Sequence, residues 1–253
     1  MDRMIYTALN ALQVMKDSRV TQSQNLAALT VPGFRRDLPN EGGTQFVDVM
    51  GAAATRAFQI ETGPATFSEQ TGRLDRTGLE TDIAIADQGY FYAQPETGDP
   101  ALSRRGDLQR GVDGILRDGA GAMMLDAGLQ PLAVPAFRKI TVTDLGEVMI
   151  EPIEGPGGVM EPVGILATVV PEPGTRLLKG ADGEIRLADG TVPPPNQGAK
   201  VLQGVLEMSN VNPVEEMLAS IEMQRAFEIG MRTIMSAREL DEAGTRLMRP
   251  PES

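Results

Sequence analysis

The chain has 253 residues, 41% of them hydrophobic and 23% charged, which is the composition of an ordinary globular protein with enough length for a core. Its 23 basic and 35 acidic side chains give a net charge of −12, and such a field repels nucleic acid and anionic lipid. Histidine and cysteine are absent, which argues against zinc, haem and thiol chemistry. We therefore expect no cofactor, no metal site and no nucleic acid partner.

Two further features of the sequence concern the location of the protein. No apolar run approaches the roughly 20 residues that a membrane-spanning helix needs, so we expect no direct membrane insertion. The N-terminal segment also lacks the basic and apolar regions of a cleaved signal peptide. We therefore expect the protein either to stay in the cytoplasm or to leave it by a route that uses no such signal.

The first predicted element is a helix in an N-terminal segment that we place at residues 1–34. Five apolar side chains share one face, at alternating spacings of four and three residues: Met1, Ile5, Ala8, Leu12 and Met15. That spacing is typical of the heptad seam of a coiled coil rather than of the broad face of a core helix. Pro32 and Gly33 end the element, because proline restricts the residue before it and glycine allows a turn.

The middle of the chain changes from irregular to β-rich. Residues 35–80 are polar and irregular, so we interpret them as a linker region. Residues 81–200 contain short apolar runs, such as 83–86, 140–142 and 148–150, which predict short strands. Asp-Gly pairs, a strong signal for hairpin turns, separate these runs and begin at Asp113, Asp118, Asp182 and Asp189. We therefore predict a β-rich body of mainly antiparallel strands.

The last predicted segment, residues 201–253, holds a long helix with a well-marked start. Asn212 is a favourable N-cap, Pro213 suits the first helical position, and Glu215 stands where a capping box places a carboxylate. Beyond this start, five side chains again alternate at four and three residues: Met223, Phe227, Gly230, Ile234 and Ala237. A helix with so narrow an apolar stripe needs a partner.

Two interpretations of the end helices remain open. In the first, both helices pack on a globular core. In the second, their seams pair with each other and with neighbouring subunits, because each seam is narrower than a core face. On the second interpretation we predict an α+β protein, in which N- and C-terminal helices form a coiled-coil-like assembly domain around a mainly antiparallel β body.

A search for catalytic groups yields one alternative class of protein. Acidic side chains of the type that a paired-carboxylate enzyme uses recur on the final helix: Glu215, Glu216, Glu222 and Glu228. A soluble carboxylate-dependent enzyme with a β fold would need two such groups to converge in a pocket. Their helical spacing instead indicates a solvated or subunit-facing surface. We therefore predict no catalytic residues and no enzymatic activity.

Four parts of the sequence resemble signature segments of one known family. These are residues 1–8 (MDRMIYTA), residues 25–35, residues 82–91 with 105–108, and residues 203–228. In that order they resemble the start of the proximal rod type, the N-terminal signature, the shared β core and the C-terminal signature of the rod and hook axial proteins of bacterial flagella. The chain departs from the family pattern at four positions that concern local turns: Gln24, Ala28, Asp87 and Gln88.

This resemblance implies a structural subunit of the flagellar proximal rod, which polymerises into the tubular drive shaft that transmits torque across the periplasm. It implies that the end helices line the inner tube, and that the β body faces outward. It also implies export of the unfolded chain through the flagellar type III apparatus, without a cleaved signal peptide. The expected partners are copies of the chain, neighbouring proximal and distal rod subunits, and the export apparatus. A distal rod or hook subunit of the same family is the alternative.

Candidate residues for assembly come from the two end helices. Seven apolar side chains are predicted to form the assembly interface: Ile5, Leu12, Met15, Met217, Ile221, Phe227 and Ile234. Five residues are predicted to cap helices or fix turns: Asn25, Pro32, Gly33, Asn210 and Asn212. Because narrow seams are poorly buried in a monomer, we expect the ends to become fully ordered only when neighbouring subunits cover them.

Overall fold

Short strands separated by turns make up most of the chain between two helices. The structure, a computed structural model, describes residues 2–38, 66–180 and 182–247. Helix α1 (Asp2–Ala27) and helix α2 (Pro213–Leu247) stand near the two ends of the sequence, and neither has, within its described residues, the apolar length that a bilayer crossing requires. The strands are, in chain order, β1 (Asp37–Leu38), β2 (Thr66–Phe67), β3 (Leu74–Arg76), β4 (Ile83–Ile85), β5 (Tyr90–Gln94), β6 (Ala101–Ser103), β7 (Gln109–Arg110), β8 (Leu116–Arg117), β9 (Met123–Met124), β10 (Phe137–Val142), β11 (Glu147–Pro152), β12 (Glu161–Ile165), β13 (Thr168–Val169), β14 (Leu177–Lys179), β15 (Ile185–Leu187), β16 (Val201–Gln203) and β17 (Val205–Glu207).

The described residues divide into two units. The helical unit contains residues 2–26, 37–38 and 212–247. The β unit contains residues 27–36, 66–180 and 182–211. The division predicted from the sequence, into residues 1–34, 35–80, 81–200 and 201–253, is not tested by these units and stays a prediction.

The β unit is built from antiparallel sheets. Its largest sheet has eight strands, in the order β14-β15-β6-β5-β9-β8-β7, with β13 also paired to β5. A second sheet has three strands in the order β10-β11-β12. Two further antiparallel pairs join strands that are distant in sequence, β16 with β4 and β17 with β3. The prediction of a mainly antiparallel β body is confirmed.

Two apolar clusters form the core of the β unit, and β5 contributes to both. Phe91 belongs to the first cluster, whereas Tyr90 and Tyr92 belong to the second. This division follows from the alternation of side chains between the two faces of a strand. The first cluster also contains Leu116 and Met124 of the eight-stranded sheet, Ile140 and Ile150 of the three-stranded sheet, and Ile83 of β4.

Asp-Gly pairs close hairpins of the β unit where the sequence predicts them. Gly114, between β7 and β8, and Gly183, between β14 and β15, both have a φ of 82°, which glycine adopts without steric cost. The aspartate before each glycine also braces its turn. Oδ1 of Asp113 accepts a hydrogen bond from the backbone N of Ile115 at 3.1 Å. These two predictions are confirmed.

The prediction of a coiled-coil-like assembly domain is wrong. The described part of the helical unit contains two helices and no extended coiled coil, and Phe227 of the predicted seam is 47% exposed. The buried or half-buried positions of α2 between residues 216 and 234 are Glu216, Ala219, Met223, Ala226, Gly230, Thr233 and Ile234. Most of these side chains are small or polar, so they do not supply the large apolar knobs of a coiled coil.

Candidate assembly interface

Helix α2 begins at an N-cap formed by its own sequence. Oδ1 of Asn212 accepts a hydrogen bond from Val214 N at 3.0 Å, and the backbone oxygen of Asn212 accepts one from Glu216 N at 3.1 Å. Nδ2 of Asn212 donates to Oε1 of Glu215 at 3.0 Å. The first of these bonds satisfies a donor that the first helical turn leaves without a backbone partner. The start of α2 is therefore fixed locally.

Four apolar side chains form an exposed face at the start of α2. Their exposed fractions are 63% for Val214, 64% for Met217, 57% for Leu218 and 51% for Ile221. At 3.6 residues per turn the four positions fall within an arc of about 100°, on the side of the helix away from the buried Glu216. We call these four residues the α2 apolar face. Contiguous exposed apolar side chains of this kind mark interaction sites.

The structure brings together only some of the predicted assembly residues. Met217 and Ile221 share the α2 apolar face, whereas Phe227 is exposed on another side of the helix and Ile234 is half-buried. Leu12 and Met15 of α1 are half-buried, and the side chain of Ile5 lies outside the described part of the structure. Val214 and Leu218, which the seam pattern omits, complete the exposed face.

Polar contacts and one small residue join α1 to α2 within the helical unit. The buried side chain of Gln22 donates from Nε2 to the backbone oxygen of Glu216. Nδ2 of Asn25 lies 3.5 Å from Oε1 of Glu216. Farther along α2, a β-carbon on Gly230 would lie 3.7 Å from Cδ2 of Leu12, in ordinary van der Waals contact. Among the described side chains, the helices are joined by hydrogen bonds at one end and by a close approach farther along.

Asn25 binds the main chain of a residue that follows α1. Its Oδ1 accepts a hydrogen bond from Asp37 N at 2.8 Å, and its Nδ2 donates to Asp37 O at 2.9 Å. The side chain is buried, so both bonds replace contacts with water. An ionised aspartate at this position would accept the first bond but has no hydrogen for the second. The geometry therefore requires an amide side chain at residue 25.

Pro32 and Gly33 form a tight turn in the β unit. Gly33 has a φ of 68°, and its backbone N donates a hydrogen bond to Glu207 O at 2.7 Å. A β-carbon on Gly33 would lie 2.4 Å from the carbonyl carbon of Arg104 and 2.5 Å from the backbone N of Arg105. Both the backbone angle and the close approach therefore require glycine.

Asn210 connects three parts of the β unit through its side chain and backbone. Its Oδ1 accepts a hydrogen bond from Arg36 N at 2.6 Å, and its backbone N donates to Phe34 O at 3.3 Å. Its Nδ2 donates to Gln70 O at 2.7 Å and Ser68 O at 3.2 Å. This residue therefore holds the segment after α1 and the segment around residue 70 against the chain that leads to α2.

Glu207 lies at the centre of a buried charge cluster in the β unit. Its carboxylate is 3.1 Å from Nη1 of Arg35 and 2.6 Å from Nη2 of Arg104, and it accepts a hydrogen bond from Gly72 N at 2.7 Å. All three charged side chains are almost completely buried. Burial lowers the pKa of Arg35, and the Glu207 carboxylate counteracts that shift. The cluster therefore depends on one carboxylate facing two guanidinium groups.

No local spacing in the sequence links Glu207 with Arg104, because 103 residues separate them. The cluster is for that reason absent from the candidate residues predicted above. One signal for it was present: Glu207 ends the apolar strand β17 on its buried side, and a buried carboxylate requires a partner of opposite charge. The signal does not say which of the chain's basic residues the partner is.

The acidic side chains that the enzyme alternative requires lie on one helix rather than around a pocket. Glu215, Glu222 and Glu228 are exposed on α2, while Glu216 is buried beside Gln22 and Asn25. Across residues 2–38, 66–180 and 182–247, no three acidic side chains are grouped so that they could hold a metal ion.

Comparison with known proteins identifies the family of this chain. Residues 202–247, which include Glu207, Asn210 and the α2 apolar face, match the family model for the flagellar basal body rod FlgEFG protein C-terminal region. Over 98% of its length, the chain is 31% identical to the flagellar basal-body rod protein FlgF of Salmonella typhimurium, and the match covers 99% of that protein. The chain belongs to the FlgF family.

Two further relatives support the same assignment. The FlgF protein of Escherichia coli is 30% identical over 93% of this chain and 94% of its own length. The FlgF protein of Caulobacter vibrioides is 29% identical over 95% of each chain. This member of the FlgF family is therefore a structural subunit of the flagellar basal-body rod, as the sequence resemblance implied. The distal rod, hook and enzyme alternatives are not favoured.

Proposed function

We propose that this FlgF-family chain polymerises within the proximal rod through its end helices, and that the resulting tubular shaft transmits torque across the periplasm. The observation that carries the proposal is the α2 apolar face, which leaves Val214, Met217, Leu218 and Ile221 more than half exposed. The rest of the chain is polar enough to carry a net charge of −12. A contiguous patch of four exposed apolar side chains on one helix is typical of a surface that another protein surface covers.

Burial of the α2 apolar face by a neighbouring subunit would stabilise the contact measurably. Complete burial of one large aliphatic side chain is worth roughly 1.5–3 kcal/mol. The four side chains are about half exposed, so the gain is roughly 3–6 kcal/mol per contact before the cost of ordering the helices. Repeated along a polymer, contacts of this size favour assembly without making the free monomer insoluble.

The contacts that we propose are heterologous: the α2 apolar face of one subunit meets a different surface of the next. Heterologous contacts extend a polymer when the rotation between subunits does not close a ring. On α1, the candidates for the complementary surface are Ile5, Leu12 and Met15. The neighbouring surfaces belong to copies of this chain and to other rod proteins.

The proposal also includes the route by which the subunit reaches the rod. We propose export of the unfolded chain through the flagellar type III apparatus. A sequence with no cysteine supports this route, because such a chain forms no disulfide before export or in the oxidising periplasm. We further propose that the subunit has no enzymatic activity, since the acidic side chains that the enzyme alternative requires lie along one helix, three of them exposed and Glu216 buried.

Complementation of a strain that lacks its own copy tests the role of the α2 apolar face. We expect the double variant Met217→Asp with Ile221→Asp to abolish rod formation in electron micrographs of basal bodies and to abolish motility, because two carboxylates in a buried contact have no partners. The matched control, Val112→Asp with Leu145→Asp, introduces the same charges at exposed hairpin turns of the β unit.

The control double variant is expected to restore rods and motility. Both purified double variants should retain the wild-type circular dichroism spectrum, since all four positions are exposed. Rods of normal length and number from the α2 variant would contradict the proposal. Equal failure of both double variants would also contradict it, because the effect would then not be specific to α2.

A further inference from the structure

Two segments of the β unit run side by side where the chain leaves it. Gly33 N donates to Glu207 O at 2.7 Å, and Asn210 N donates to Phe34 O at 3.3 Å. Residue numbers rise together along both segments, so the segments run in the same direction. The chain passes from the β unit to the helical unit directly after residue 36, the end of the first segment. It does so again after residue 211, one residue beyond the end of the second segment. We call these two segments together the exit clamp.

Hydrogen bonds and charges, rather than the apolar clusters, hold the exit clamp closed. Neither apolar core cluster of the β unit contains a residue of the clamp. The segments are joined instead by the Arg35–Glu207 ion pair and by the bond from Arg36 N to Oδ1 of Asn210. Nζ of Lys179 adds a hydrogen bond to Arg35 O at 3.1 Å. The clamp can therefore lose its contacts without exposing the core of the sheets.

The balance of charge makes Glu207 the controlling residue of the clamp. Arg104 and Arg35 both face its carboxylate, and Arg104 is also bound to the backbone oxygens of Ile85, Asp87 and Gly89. Nε of Arg35 is buried and has no hydrogen-bond partner among the described residues. Without the carboxylate, two buried positive charges would face each other, and Arg35 has fewer other bonds to hold it than Arg104 has.

We infer that the exit clamp is a conformational latch: residues 33–36 and 207–210 open and close together, under the control of Glu207, while the eight-stranded and three-stranded sheets stay folded. Local opening of this kind occurs in cooperative units whose free energy is lower than that of global unfolding. Both chain passages at the clamp are released by the same event, because the two segments are bound to each other and both rest on residues 68–74: Ser68 N donates to Arg36 O at 2.8 Å, and Met208 N donates to Arg73 O at 2.8 Å. The inference concerns the β unit of the monomer and does not depend on polymerisation.

Hydrogen exchange of the purified full chain, followed by mass spectrometry, tests the latch. In Glu207→Gln we expect peptides that cover residues 28–36 and 207–211 to exchange at least about tenfold faster, and by the same factor, because a buried pair loses its charge. Peptides from β5 and β11 should exchange at the wild-type rate. The matched control Glu161→Gln, at an exposed carboxylate of β12, should change none of these rates.

A measurement on the wild-type chain keeps the latch testable if Glu207→Gln does not fold. At low urea concentrations, the amides of the two clamp segments should show one common opening free energy and one common urea dependence, both smaller than those of β5. Separate opening energies for the two segments would overturn the inference. Faster amide exchange in only one of the two segments of Glu207→Gln would overturn it as well. So would faster exchange of β5 by the same factor.

Discussion

At residue 33 the backbone leaves no room for a side chain. Gly33 has a positive φ, and its α-carbon lies against the main chain of Arg104 and Arg105. The main chain cannot move aside as the end of a flexible side chain would, so the collision cannot be relieved locally. Gly158 also has a positive φ, but no atom lies within 4 Å of the position that its β-carbon would take. Substitution of each glycine by alanine therefore separates the energetic cost of backbone strain, present at both positions, from the cost of close packing, present only at Gly33.

We predict that Gly33→Ala destabilises the protein by roughly 2–5 kcal/mol, which combines strain at positive φ with overpacking. Gly158→Ala should cost about 1 kcal/mol, because it adds strain alone. Urea unfolding followed by circular dichroism measures both free energies. Equal costs for the two substitutions would show that the contact with the Arg104 main chain has no energetic weight.

The roles of individual residues were predictable to the extent that they act locally. The capping position of Asn212 follows from its place before Pro213, and the turn at Gly33 follows from the preceding proline. The two hydrogen bonds between the Asn25 side chain and the Asp37 main chain were not predictable, because a spacing of twelve residues does not indicate such a contact. Residues that act through distant partners need the fold before their role can be assigned.

At the scale of the element, the sequence predicted the existence of α2, its start and part of its buried side. Met223, Gly230 and Ile234 of the predicted seam are half-buried, whereas Phe227 is exposed. Glu216, which the seam omits, is buried. A pattern that counts only apolar side chains cannot detect this choice, because the burial of Glu216 depends on Gln22 and Asn25 of another helix.

Loss of the N-cap should destabilise the first turns of α2. We predict that Asn212→Ala costs about 1 kcal/mol of local helix stability, which corresponds to about a fivefold increase in amide exchange for a peptide covering residues 213–222. Gln224→Ala, at an exposed position within the helix, is the control and should leave this peptide unchanged. An identical exchange rate in Asn212→Ala and the wild type would mean that the cap seen here does not hold the helix in solution.

At the scale of the whole chain, the class of the β unit was predictable and its topology was not. Asp-Gly turns indicate adjacent hairpins such as β14–β15. The pairings of β16 with β4 and of β17 with β3 join segments more than 100 residues apart. Strands of three residues carry too little alternation to specify such partners. The buried cluster around Glu207 follows from these pairings, and so it too becomes visible only in the folded chain.

We propose that neighbouring subunits cover the α2 apolar face in the assembled rod, and thiol labelling of Ile221→Cys tests this proposal most directly. The chain contains no cysteine, so the introduced thiol is the only one in this subunit. We predict rapid alkylation by a maleimide in the purified monomer, where residue 221 is exposed, and strong protection of the same residue in intact basal bodies. Alkylation at the same rate in monomer and basal bodies would contradict the account.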